Sequence, residues 1–315
     1  MFGLLKKSAD AKGRVGLAFG RDHIAIAAIS RSGERAVLER CELLPIAPAQ
    51  GPEAMAAALR SAALPRMPIS VVLNAEDYQL ALVEAPDVPP AEMRAAMRWR
   101  LKEAIDIPVE DTIIDVFEVP PQSRGGQGRM VYAVAARRGA VERCAMALAA
   151  IPAFDVVDVP ELCLRNLAAV LPAAARGVAL LHLGEKAATM VLVQGRTFYF
   201  ARQMSLAAVG TGQDEDGHQG ATGGADTAGI VLELQRSLDY YERHFDQPPI
   251  TRIAILPAAP RTEVLAAELG RETGFEVNTL DLNASLQCHV PVDPALQASA
   301  LLAVGAALRE ERRTL

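Results

Sequence analysis

Two stretches far apart in the chain share one pattern, and that repetition limits the fold more than any other feature. Residues 15–29, VGLAFGRDHIAIAAI, place apolar side chains alternately at Val15, Leu17 and Phe19, turn through Gly20, Arg21 and Asp22, and alternate again at Ile24, Ile26 and Ala28. A two-residue period on both sides of a glycine-bearing turn is the mark of a buried β-hairpin. Residues 177–193, GVALLHLGEKAATMVLV, repeat the pattern, with Gly184 and two charged residues at the turn. Two such hairpins imply a duplicated core with a cleft between its halves. Backbone N–H groups at the glycine turns are of the kind that can face a phosphate.

The rest of the chain fits around this pair. Residues 36–43 read as a third strand, 51–63 as a helix, and 69–74 and 78–83 as further strands, the order of a ribonuclease-H-like lobe. The spacing predicts a helix over 90–105: Pro90 suits its first turn, Met93, Met97, Leu101 and Ile105 form one apolar stripe, and Pro108 stops it. Trp99 lies off that stripe between Arg98 and Arg100, either as a half-buried lid on a neighbouring element or as an anchor for a partner. Strands over 112–119 and 129–136 flank an exposed loop, followed by a helix at 139–150, a strand at 154–157, a helix at 160–171 and a hinge at 172–177. After a strand at 197–202, residues 210–229 hold no large apolar side chain and lack the Lys-Ser/Thr ending of a P-loop, so they read as a flexible linker. In the helix at 230–245, Val231, Leu234, Leu238, Tyr241 and Phe245 line one buried face, while Glu233, Arg236 and Asp239 project to solvent or toward a cleft. A strand at 252–256, a helix at 262–273, a strand at 275–278 and an alanine-rich helix at 294–309 complete the chain.

Composition excludes several classes of function. A formal charge of -6 without a basic stripe argues against nucleic-acid binding. Cys41, Cys144, Cys163 and Cys288 stand singly, so neither a zinc site nor a disulfide frame is indicated, and Cys144 and Cys163 read as small core residues. No GxSxG elbow occurs, and the five histidines show no HExxH spacing. His182 ends a strand beside Gly184, where a satisfied core histidine and a functional one are both compatible with the pattern. No apolar run is long enough to span a membrane, so a cytoplasmic protein is expected. The opening MFGLLKKSADAK is either a frayed tail or a short amphipathic foot on a membrane surface.

Four stretches carry a family resemblance: the opening MFGLLKK, EMRAAMRWRLKEAIDIPVEDTIIDVF at 92–117, VVDVPELCLRNLAAVL at 156–171 and LELQRSLDYYERHF at 232–245. Together with both hairpins and the last helix, they make nearly the whole chain resemble the PilM/MshI family of type IV pilus biogenesis proteins. Its mannose-sensitive haemagglutinin (MSHA) branch is the most similar, and the family belongs to the actin-like ATPase superfamily. The resemblance implies an α/β, actin-like duplicated two-lobe fold. A tail would cover 1–13, a first lobe 14–172 with an inserted subdomain at about 74–150, and a second lobe 173–315 with the flexible loop 210–229.

The resemblance also implies ATP with Mg²⁺, yet the anchoring positions are degenerate. Nucleotide-binding members have an aspartate where this chain has Ala18, an acidic residue where it has His182, and a Gly-Gly turn near Pro257, Ala258 and Ala259. Mg²⁺ prefers oxygen ligands, and phosphoryl transfer rests on charge stabilisation, so a non-hydrolysing protein is expected. Gly20, Arg21, Asp22, Gly184 and Glu185 would remain as nucleotide contacts, with Glu233 and Arg236 near ribose or base. An active ATPase, with Asp22 replacing the missing aspartate, is the competing enzyme reading, and a type II secretion scaffold is a further alternative. The implied partner is the cytoplasmic peptide of a single-pass, PilN-like inner-membrane pilus protein, which would recruit the chain to the inner face of the membrane. That peptide is expected near the junction of the first lobe and its insert, with Trp99, Arg98 and Arg100 as candidate contacts, and the assembly motor ATPase as a second partner.

Overall fold

The computed structural model describes residues 13–33, 35–46, 51–122, 128–151, 153–184, 187–205, 223–257 and 261–310. The tail up to residue 12, Glu185, Ala258 and residues 206–222 lie outside the described residues.

Both hairpins form, and each seeds a sheet of the same topology. In the first half, β1 (Gly13–Phe19), β2 (His23–Ser32) and β3 (Arg35–Pro45) run as an antiparallel meander. Val15 lies opposite Ala28 and Leu17 opposite Ile26, so the alternation seen in sequence puts both apolar rows on the same buried face. Helix α1 (Pro52–Ser61) leads into β4 (Ile69–Val72), which runs parallel to β1.

The insert follows: β5 (Tyr78–Glu84), α2 (Pro90–Leu101), β6 (Thr112–Glu118) and β7 (Met130–Arg137) make a separate three-stranded sheet in the order β5-β7-β6. Helix α3 (Arg138–Leu148) returns the chain to β8 (Phe154–Asp158), which pairs with β4. Helix α4 (Pro160–Ala169) then leads to the second half. There β9 (Val178–Leu183), β10 (Ala187–Gln194) and β11 (Thr197–Ser205) repeat the meander. Helix α5 (Gly223–His244) precedes β12 (Arg252–Ile255), which is parallel to β9, and α6 (Arg261–Thr273) precedes β13 (Glu276–Thr279), which is parallel to β12. After α7 (Leu282–Ser285), β14 (Gln287–Cys288) joins β3 at the edge of the first sheet, and α8 (Pro294–Ala307) ends the described fold.

The two halves exchange helices. Helix α4 leaves the first sheet yet packs on β9 and β10 of the second, while α8, from the end of the chain, packs on β1, β2, β3 and β4. The division at 172/173 therefore separates the two meanders but not the packing, because β14 and α8 complete the first lobe. Backbone contact makes this possible. A Cβ on Gly16 would stand 1.9 Å from the carbonyl oxygen of Ala303, and one on Gly305 would stand 2.4 Å from that of Cys163. Helix α8 is thus wedged between β1 and α4, and Ala300, Ala303, Ala306 and Ala307 let its C-terminal half lie there buried. Asp293 starts it by accepting the Leu296 N–H at 2.9 Å.

Two boundaries differ most from the sequence reading. Helix α2 stops at Leu101, and only a turn carries the chain on to Ile105. Helix α5 begins at Gly223, so residues 223–229 are helical although they were expected to be part of a flexible loop. Extending an already packed helix adds a hydrogen bond per residue, which offsets the glycine penalty.

Candidate cleft and groove

The two hairpin tips close identically. The Gly20 N–H donates to the His23 carbonyl at 2.9 Å, and the Gly184 N–H donates to the Ala187 carbonyl at 2.9 Å. Around these tips the side chains differ from a metal-phosphate site. Ala18 packs against an apolar group of Val72, Cys163 and Ala306. Asp22 is exposed and bonded to its own neighbour, its Oδ1 lying 2.8 Å from Nδ1 of His23, and that hydrogen bond holds its carboxyl below the usual range. Arg21 is exposed on the same turn.

His182 lies in register with Thr189 of β10, and Thr189 with Gln203 of β11, so the three share one face of the second sheet. Desolvation pushes the His182 imidazole down to about 4, which keeps it neutral near pH 7. Mg²⁺ prefers oxygen ligands, and neither the side chain of Ala18, in its apolar setting, nor the neutral imidazole of His182 supplies one. The donor set at the two anchoring positions does not fit Mg²⁺-ATP.

The depressed imidazole carries a stability consequence. Unfolded, the ring titrates near 6.5, and folded near 4, so between these values the unfolded chain binds more protons. Stability supplied by the neutral ring is complete above pH 6.5 and falls as pH drops toward 4, by up to about 3 kcal/mol. His182→Gln is expected to flatten this part of the profile, as measured by urea denaturation at pH 7, 5.5 and 4.5.

The face carrying His182 meets a buried polar cluster that the sequence reading missed. Tyr78, at the start of the insert, donates its hydroxyl to Glu161 Oε2 at 2.6 Å, and Gln203 Nε2 donates to Glu161 Oε1 at 3.0 Å. Glu161, on the first turn of α4, is completely buried. Burial raises its pKa, against the pull of the Tyr78 and Gln203 hydrogen bonds. One carboxylate therefore joins the insert, the first lobe and the second lobe. Glu233 and Arg236 are not part of it. They pair with each other at 2.6 Å, and Glu233 also pairs with Arg202, the strand neighbour of Gln203, on the α5 side of the sheet. Strand alternation puts that side opposite His182.

A groove of about 870 Å³ opens where the insert meets the lobes. One wall is the sheet face of Ile113, Asp115, Phe117, Val134 and Ala136, and the other is β8 from Phe154 to Asp158. Val141 and Ala145 of α3, Leu162 and Arg165 of α4, and Arg196 to Phe198 of the second lobe complete it. Phe117 and Phe198 line it, and behind them the buried Tyr132 completes a ring cluster with centroids 5.3 to 5.5 Å apart. Each long wall includes a strand that ends its sheet, β6 in one and β8 in the other.

Ion pairs brace the rim. Arg14 holds Asp155 at 2.9 Å, Arg309 holds the buried Asp158 at 2.6 Å, and Glu310 bridges Arg31 at 2.5 Å and Arg196 at 2.9 Å. No simple sequence signal marks this groove, because its lining comes from stretches about 200 residues apart.

Trp99, Arg98 and Arg100 do not line the groove. Helix α2 packs Met93, Met97 and Leu101 against Ile114, Val131, Ala133 and Ala135, on the opposite face of the three-stranded sheet. Trp99 points outward and is 79% exposed, so it is not a half-buried lid.

No protein-family model matches the sequence, and no curated protein matches it either. Solved structures do match. A structure of the PilM-PilN type IV pilus biogenesis complex covers 95% of this chain and 98% of its own, at 22% identity and a TM-score of 0.68. A Bacteroides thetaiotaomicron protein, described as having an actin-like ATPase fold and unknown function, covers 95% and 99%, at 8% identity and a TM-score of 0.52. The chain has the actin-like ATPase fold. In this fold the duplicated meanders are the two lobes, and the three-stranded sheet is an insertion in the first lobe. Among the described residues, no helix is long and apolar enough to cross a membrane.

Proposed function

We propose that this protein is a scaffold of type IV pilus biogenesis, of the PilM/MshI kind and closest to the MSHA branch, that holds the cytoplasmic peptide of a PilN-like inner-membrane protein in the groove. The observation that carries this reading is the groove itself. Two strands that end their sheets, β6 and β8, line it together with the rings of Phe117 and Phe198, which suits an extended peptide with apolar side chains against the aromatic rings. The full-length likeness to the PilM-PilN structure supports the choice of partner class. On this reading the bound partner recruits the chain to the inner face of the membrane.

The cleft works as a structural joint in this proposal. The chemistry of Ala18 and His182 supports a protein that has lost ATP hydrolysis, and Asp22, bonded to His23, is poorly placed to substitute. Calorimetric titration with ATP and Mg²⁺ is expected to give no metal-dependent heat. Micromolar binding that requires Mg²⁺ would overturn the loss of function and restore a nucleotide switch.

The groove is tested with a synthetic peptide matching the cytoplasmic segment of a PilN-like single-pass inner-membrane protein. Ile113 is 37% exposed on the groove wall, so Ile113→Asp should leave the fold intact. The variant places an unpaired carboxylate against the apolar part of the peptide and is expected to weaken binding at least about tenfold. Equal affinity of the variant and the parent protein would remove the groove from the binding site.

A further inference from the structure

We propose that residues 2–5 of this chain (FGLL) dock in the seam between α1 and α3, on the face of the first sheet opposite α8. The seam has a volume of about 790 Å³ and runs beside Pro52 and Ala56 of α1 and Met146, Ala149 and Ala150 at the end of α3. Met146 is a large apolar side chain left 55% exposed in it. Glu53 and Arg60 are the charged residues of the lining, one of each sign, so apolar contact and not net charge selects what fills it.

The start of the fold puts the tail beside this seam. Val15 lies opposite Ile69, and Ile69 opposite Phe154, so β1, β4 and β8 begin side by side. The tail therefore joins β1 at the end of the sheet where α1 and α3 hand the chain on to β4 and β8. A Cβ on Gly13 would stand 3.0 Å from Sδ of Met67, in the connection from α1 to β4. Met67 and Leu64 of that connection, and Ile151 of the one from α3 to β8, are half-buried on the same core. An apolar track thus leads from Gly13 to the end of the seam formed by Arg60, Ala149 and Ala150.

Length and chemistry fit the tail to the site. The twelve residues before Gly13 reach about 40 Å when extended. Pro52 to Arg60 covers only about 12 Å along α1. Phe2, Leu4 and Leu5 give the tail one apolar cluster, followed by Lys6 and Lys7. A separate protein or a second copy would need an interface of roughly 1,200 Å² to stay bound, whereas a tether lets a four-residue segment suffice by holding it at high effective concentration. The seam lies apart from the peptide groove and shares no lining residue with it.

Met146 reports on the site directly. Hydrogen peroxide oxidation of the full-length protein is followed by peptide mass spectrometry beside Leu4→Asp/Leu5→Asp, which keeps the whole chain. Met146 should oxidise at least about fivefold faster in the double variant, because oxidation follows exposure. Met130, half-buried in the insert, should oxidise at one rate in both. In the reciprocal experiment Ala150→Asp, at an exposed position of the seam, should speed tryptic cleavage after Lys6 and Lys7 by about fivefold. Equal Met146 rates in parent and double variant overturn the proposal, and unchanged cleavage in Ala150→Asp overturns it by placing the tail elsewhere. Protection of Met146 that fades on dilution overturns it in favour of a second copy. Protection that appears only with added phosphatidylglycerol vesicles overturns it in favour of a membrane-bound tail.

Discussion

Gly16→Ala is expected to destabilise the protein by about 3 kcal/mol or more, at the upper end of the cost of overpacking a core. The added Cβ would stand 1.9 Å from the carbonyl oxygen of Ala303 and 2.6 Å from the Ala307 nitrogen, both backbone atoms of α8. No rotamer change relieves a clash with backbone, so α8 must lift from β1. It cannot lift freely, because Gly305 on its other side lies against Cys163 of α4. Lifting α8 also displaces Arg309 and Glu310, which brace the rim of the groove, so peptide affinity should fall along with stability. Gly229→Ala provides the contrast. Gly229 lies within α5 with open space around it, and alanine there should stabilise by up to about 1 kcal/mol through helix propensity. Urea midpoints of the two variants, read beside the parent, are expected to move in opposite directions. A Gly16→Ala protein as stable as the parent would contradict the wedged position of α8.

Glu161→Ala is expected to cost about 3 kcal/mol, because it leaves the buried Tyr78 hydroxyl and Gln203 amide without their shared acceptor. Glu161→Gln keeps an acceptor oxygen and should cost about 1 kcal/mol. The contrast matters because a simple loss of volume would not separate the two. Tyr78 belongs to the insert and Gln203 to the second lobe, so the alanine variant should also loosen the insert from β11, where Tyr132 and Ala201 exchange hydrogen bonds at 2.9 and 3.3 Å. Faster limited proteolysis in the 119–129 connection is the expected sign. Equal stability of the alanine and glutamine variants would show that Glu161 acts by packing alone.

Much of the architecture was legible because strands announce themselves locally. The alternation of Val15, Leu17 and Phe19 against Ile24, Ile26 and Ala28 requires a two-sided ribbon, and its repetition at 178–193 marks the duplication. The stripe of Met93, Met97 and Leu101 likewise located α2 and its buried face. Elements lacking such asymmetry were readable only in part. Helix α8 is apolar on every side, so its period says helix but not which neighbours it touches. The candidate site was less legible than the fold. Ala18 and His182 could be picked out at equivalent points of the two hairpins, but Glu233 and Arg236 turned out to pair on the opposite face from His182.

The sequence by itself determined the two hairpins, the inserted strands and helix, the glycine turns and the presence of Ala18 and His182 two residues before them, all of which follow from residue type and short-range spacing. Only the tertiary structure decided that α8 crosses into the first lobe, that Glu161 joins three parts of the molecule, and that the groove lies between β6 and β8. It also put Trp99 on the far side of the inserted sheet from that groove. The physical reason is one of range. Periodicity and turn chemistry act over a few residues and can be read along the chain, whereas close backbone packing, buried hydrogen bonds and groove walls drawn from separate sheets join residues that only folding brings together.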